Sequence, residues 1–146
     1  MLKTSGILNH SLITSAPPPL DAGVAFGQGA RIIQAILESF GIGGVSCGTS
    51  DVAVGSWKIY GNAQAWRWKS LLLHGTLLVD LDLDLAERIL RYPPCELDYR
   101  RGRGHRDFLI TLRQLGISAS RNEVEQAALH AAERLYSRVP THKSGE

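Results

Sequence analysis

With 146 residues, 44% of them apolar and 21% charged, the chain has material for one core and the balance of a soluble globule. A formal charge of +2 is too small to imply nucleic acid or a membrane surface as a partner, and no apolar run reaches the length that spans a bilayer. Two cysteines, Cys47 and Cys95, and no secretory signal fit a reducing cytoplasmic compartment better than a disulfide framework.

Taken from the start, Leu8, Ser11, Leu12 and Ile13 predict a strand. It gives way to a loop at Ser15 to Pro19, where three successive prolines cannot donate ladder hydrogen bonds. Asp21 stands where an N-cap is needed. Ala25, Ile32, Ile33, Ile36, Leu37 and Phe40 then recur at helical spacing, with Gly41 placed to end the helix. Gly23, Gly27 and Gly29 weaken its first turns. Ile42 to Gly48 is a glycine-rich connection. It leads into a strand and lacks the GK[ST] ending of a P-loop, so it is no phosphate cradle of that kind.

The central stretch, Asp51 to Asp80, predicts three strands bent around one lysine. Val52 and Val54 alternate with Asp51 and Ala53, Gly55-Ser56 makes a tight turn, and Trp57, Ile59 and Tyr60 surround Lys58 on the return. Trp66 and Trp68 flank Arg67 at alternate positions and predict an aromatic strand face. Leu71 to Val79 is apolar apart from His74, Gly75 and Thr76, and a polar triplet inside a buried strand marks a place where a ligand is met. Asp82 or Asp84 then caps a helix through Leu85, Ile89 and Leu90, stopped by Pro93-Pro94. Arg100 to Arg106 reads as a solvated basic loop, or as a docking contact for an acidic partner; its arginines are not interleaved with aromatics as a nucleic-acid stacking platform requires.

Leu109, Leu112, Leu115 and Ile117 form a small apolar cluster. Ser120 to Glu123 is a capping box, followed by a stripe of Val124, Ala127, Ala128, Ala131 and Leu135 that predicts a helix to about Arg138. Residues 139–146 predict a disordered tail, leaving residues 1–138 as the domain. Helix, strands and helices in that order, without βαβ alternation, make the fold α+β.

Asp51, then Lys58-Ile59-Tyr60-Gly61-Asn62-Ala63-Gln64, then His74-Gly75-Thr76-Leu77-Leu78 agree in order and spacing with a known pattern. They resemble the lipoate–protein ligase and octanoyltransferase branch of the biotin/lipoate ligase superfamily, over roughly residues 5–115. The resemblance implies a central mixed or antiparallel sheet with helices packed on one side. It also implies attachment of lipoyl or octanoyl groups to a lysine of an acceptor domain. The acceptors would be lipoyl domains of 2-oxoacid dehydrogenases or the glycine cleavage H protein, with acyl-carrier protein as a further partner. A ligase would use ATP, Mg²⁺ and lipoate. The family's arginine pair and glycine triad should precede Ser5-Gly6-Ile7, and Met1 comes too late to contain them. The expectation is therefore an N-terminally truncated catalytic domain, or a non-catalytic fragment that only docks acyl-carrier or lipoyl domains.

Lys58 is the family's essential lysine by position. A fixed ammonium suits the negative charge that builds on phosphate and carbonyl oxygens during acyl activation; an arbitrary strand lysine merely reaches water. Asp51 matches the second member of an Asn-Asp pair that helps hold nucleotide and metal, with Ser50 replacing the Asn; its oxygens could ligate Mg²⁺. By the resemblance His74 and Gly75 line the acyl pocket. Gly61 and Ala63 are small where the chain passes close to a ligand, or where a strand bulges. Cys47, near Lys58 in sequence, is the candidate nucleophile for an octanoyltransferase. Cys95, after the proline pair, lacks such a neighbourhood.

Overall fold

The computed structural model describes residues 6–15, 21–95 and 97–136. The tail at 139–146, the helix end near Arg138 and the proline loop at 16–19 lie outside them. Five strands form one antiparallel sheet: β1 (Ile7–Ser15), β2 (Val45–Cys47), β3 (Asp51–Val54), β4 (Trp57–Arg67) and β5 (Ser70–Leu78), in the order β1-β5-β4-β3-β2. The sheet is thus the antiparallel form of the expected one. β2 is an addition, because three residues within a glycine-rich connection carry too little periodicity to announce a strand.

Helix α1 (Ala22–Ser39) starts at Asp21, whose carboxylate accepts from the Gly23 N–H at 2.7 Å, and Gly41 follows its end with φ 77°. Its Ile32, Ile33, Ile36 and Leu37 are buried against Val52, Tyr60 and Leu77 of the sheet. Each such side chain contributes about 1.5–3 kcal/mol on burial. Helix α4 (Arg121–Tyr136) packs on α1 and adds Val124 and Ala131 to that core. The capping box is realised in full. Glu123 Oε2 accepts from Ser120 N and Oγ, both at 2.7 Å, and Glu123 N–H donates to Ser120 Oγ at 3.3 Å. Both long helices sit on one face, as expected of this architecture. The other face lies open along much of β1, β4 and β5, where Asn9, Ser11, Ile13, Ala63, Ala65, Leu72 and His74 are exposed.

The segment after β5 folds over one end of that open face. It contains α2 (Leu83–Ile89), capped by Asp82 Oδ1 on the Leu85 N–H at 2.9 Å, a 3₁₀ turn at Asp98–Arg100 and α3 (His105–Phe108). It is stitched to the sheet where the Ile110 N–H donates to the Lys58 carbonyl at 2.9 Å. The expected aromatic strand face does not form. β4 ends at Arg67, and Trp68 and Lys69 make the two-residue turn to β5 with φ of 54° and 117°. Trp68 is 84% exposed, its ring under the Arg67 guanidinium at 4.7 Å. A turn of this kind is usually announced by Asn or Gly, and here neither residue is present.

Candidate functional site

Alternation along β4 would put Lys58 and Gly61, three residues apart, on opposite faces of the sheet. A bulge prevents this. Val52 pairs with Tyr60 and Ala53 with Lys58, leaving Ile59 as the extra residue. The shift turns Lys58 onto the face of Gly61 and Asp51, which are directly paired across β3 and β4. Ile59 itself is fully buried in the core. The bulge therefore lies at Ile59, before both Gly61 and Ala63, the positions at which the sequence suggested one.

On that face the Lys58 ammonium meets Asp51 Oδ1 at 2.9 Å. Asp51 is only 3% exposed while Lys58 is 25% exposed, so the pair presents an ammonium backed by a buried carboxylate. Two further groups complete the carboxylate's shell. Ser50 Oγ donates to Oδ1 at 3.3 Å, and the Tyr99 hydroxyl donates to Oδ2 at 2.7 Å. Removing a carboxylate from water is costly unless its oxygens are met, and here both are. Tyr99 is held protonated: burial raises its pKa, and the Asp51 carboxylate raises it further. It acts as a donor throughout the physiological range. Gly61 provides the space for this arrangement. A Cβ there would lie 3.0 Å from Lys58 Nζ and 3.3 Å from Asp51 Oδ1.

From this charged end the open face continues along β4 as a stripe of small residues. Gly61, Ala63 and Ala65 make the stripe, beside Thr76, His74 and Leu72 of β5, paired with them in register. His74 Nδ1 is 2.9 Å from Ser11 Oγ, a pairing that orients the ring. Gly75 belongs to the other face, where a methyl group would collide with the Tyr60 hydroxyl and ring. Its small size serves packing under α1. Lys58, Asp51, Gly61, Ala63 and His74 are thus brought together, and Gly75 stands behind them.

Beside Lys58 the folded-over segment borders an open cavity of about 310 Å³, with Cys95, Leu97, Arg100, His105 and Leu109 among its walls. Arg100 is 5% exposed, its guanidinium 4.9 Å from the Phe108 ring centre, and its Nη2 has no hydrogen-bond partner. Cys95 shares this cavity with Lys58. Cys47 does not: it pairs opposite Asp51 on β2 and lines a separate hollow with Ser56, Tyr99, Arg101 and Arg103. The neighbourhood denied to Cys95 from sequence is therefore the one it has.

The basic loop is solvated only in part: Arg101 and Arg106 are exposed, while Arg100 and Arg103 turn inward. Arg103 donates to the carbonyls of Ser56 (2.8 Å), Tyr99 (2.9 Å), Arg100 (3.0 Å) and Asp107 (3.3 Å). Arg106 pairs with Asp84 at 3.0 Å. Tyr99 is the residue that the sequence did not single out, and Arg100 and Arg103 were read only as part of the basic loop. The one signal for Tyr99 was an aromatic residue immediately before the arginine run.

A divalent cation does not fit the residues described here as a site of their own. Asp51 is a single carboxylate with both oxygens engaged by donors, and no group of three or more His, Cys, Asp or Glu among the described residues could hold a metal. The arrangement fits an anchored ammonium.

The model of the lipoyl protein ligase A/B catalytic domain matches residues 2–133. The chain belongs to that family. Lipoate–protein ligase 1 of Staphylococcus aureus is 32% identical over 96 residues, 64% of this chain and 28% of that protein. A crystal structure of a lipoate-protein ligase A bound with ATP superposes with a TM-score of 0.75 at 22% identity, covering 88% of this chain and 51% of that one. A bi-partite lipoate protein ligase from Thermoplasma acidophilum, described with its E2 lipoyl domain, gives 0.74 at 23% identity, covering 89% and 51%. The fold is that shared by lipoate and biotin protein ligases. This chain spans under a third of the curated relative and about half of the solved chains. No helix among the described residues is long and apolar enough to cross a membrane.

Proposed function

We propose that this chain provides the acyl-transfer surface of a lipoate–protein ligase, attaching lipoyl or octanoyl groups to a lysine of a lipoyl acceptor domain. The observation that carries this reading is the Lys58–Asp51 pair at the head of a stripe of small residues, Gly61, Ala63 and Ala65. At about 3.4 Å per residue, the strand from Gly61 to Ala65 offers roughly 13 Å of small-residue surface, room for a medium-length acyl chain laid flat. The acyl carboxyl end then lies by Lys58.

In the ligase reaction a carboxylate oxygen of lipoate attacks the α-phosphorus of ATP and pyrophosphate leaves. The acceptor lysine amine then attacks the acyl carbonyl, losing a proton as AMP departs. Both steps build charge on oxygen within reach of one ammonium. Lys58, held by a buried carboxylate, offers such a charge without reorganising. Arg100 and Lys58 on the walls of the neighbouring cavity suit the phosphate end of the adenylate. Mg²⁺, where needed, would arrive on the phosphates of ATP. The acceptors are lipoyl domains of 2-oxoacid dehydrogenases or the glycine cleavage H protein.

Cys95 favours a second reading, an octanoyltransferase taking its acyl group from a carrier-protein thioester, because it shares a cavity with Lys58. One experiment separates the two. Apo acceptor domain is incubated with lipoate and ATP in one tube and octanoyl-carrier protein in another, and its mass is read. ATP-dependent labelling that survives Cys95→Ser and Cys47→Ser and is lost in Lys58→Met supports the ligase. Labelling without ATP that is lost in Cys95→Ser supports the transferase. Labelling unaffected by Lys58→Met overturns both.

A further inference from the structure

We propose that Tyr99 is the positioning residue of this site, fixing the Asp51 carboxylate so that it holds the Lys58 ammonium over Gly61; this rests on the acyl-transfer reading above. The geometry is a relay of two contacts. Tyr99 Oη donates to Asp51 Oδ2 at 2.7 Å, and Asp51 Oδ1 meets Lys58 Nζ at 2.9 Å. A carboxylate held on one oxygen alone turns about its last torsion, which is broad and offers no barrier of its own. Held on both, it has one orientation. The Tyr99 ring is itself fixed, packed on Phe108 with centroids 5.1 Å apart, and its carbonyl is gripped by Arg103 at 2.9 Å. The hydroxyl therefore arrives from a segment forty-eight residues along the chain, already in place. The same bond ties Oδ2 to Tyr99, so Asp51 serves as a fixed anchor for Lys58.

The test uses Tyr99→Phe, which keeps the ring on Phe108 and removes only the donor. In crystal structures of wild type and variant, the Asp51 carboxylate turns in the variant and the Lys58–Asp51 contact opens beyond 4 Å; an unmoved pair overturns the proposal. In the acceptor-domain assay the variant loses about tenfold in kcat with KM for the acyl donor within about twofold, the pattern of a lost transition-state contact. In an Asp51→Asn background, Tyr99→Phe causes no further loss, because its effect passes through Asp51; additive losses overturn the proposal. Should wild type transfer nothing, the acyl-transfer reading fails, and the paired crystal structures still decide the role of Tyr99.

Discussion

Gly61 has no side chain, and the Lys58 ammonium lies tight against the place where one would be, 3.0 Å from the position of a Cβ. The two residues share a face only because Ile59 is bulged out of register. Gly61→Ala therefore displaces the lysine head rather than the backbone, and the long flexible stem absorbs the shift. Expected are an unfolding free energy within about 1 kcal/mol of wild type and a fall in kcat of about tenfold or more, the scale of a displaced charge stabiliser. Urea titration and the acceptor-domain assay measure the two quantities.

Gly75→Ala should behave in the opposite way. Its new methyl meets the Tyr60 hydroxyl and ring, and Tyr60 is 1% exposed with no room to retreat. Overpacking of this kind costs about 1–3 kcal/mol. Tyr60→Leu in the same molecule should recover part of that loss. Thermal melts of the single and double variants are the check.

His10 stacks on Tyr60 with ring centroids 5.6 Å apart, its Nε2 3.3 Å from the Tyr60 hydroxyl. Burial, and secondly the charge of His74, lower its pKa below 6.5. Below that pH the unfolded chain takes up a proton that the folded chain resists. Its contribution to stability is thus complete above pH 6.5, declines as the pH falls toward the folded pKa, and then levels off. His10→Gln should flatten that part of the curve. Urea unfolding of both proteins at pH 7.5, 6.0 and 5.0 shows whether the difference between them narrows as predicted.

The open face and the β1 edge lead to a fourth expectation. Ile13 is 73% exposed on an edge strand, directly paired with the 38% exposed Leu72. An apolar edge invites strand pairing between copies. Ile13→Lys should reduce self-association of the isolated 146-residue chain in sedimentation velocity, with its melting midpoint unchanged. Equal association by the variant would place the sticky surface elsewhere.

The reach of the sequence was uneven for physical reasons. Asp51, Lys58, Gly61 and His74 lie on adjacent antiparallel strands, so their spacing along the chain nearly determines their spacing in space. α1 and α4 were legible through their caps, Asp21 and Ser120, because capping is local chemistry. Leu135, by contrast, was placed on the α4 stripe yet is 36% exposed, and Tyr136 packs on the core in its stead. Tyr99 and Arg100 acquire their roles only when a segment returns across the sheet. No periodicity announces that a guanidinium will be buried on aromatic rings. The Ile59 bulge left no mark either, since a one-residue slip depends on what Val52 and Ala53 require.

Arg103 joins four carbonyls on two separate stretches of chain, one of them the turn at Ser56 between β3 and β4. That makes the Asp51–Lys58 hairpin and the 97–110 segment a single module for protein engineering. A graft that swaps one of them between relatives, to change acyl or nucleotide preference, would sever the clasp and import a mismatched half. Exchanged together, with Arg103 and the Ser56 turn intact, they carry their own alignment into the new host.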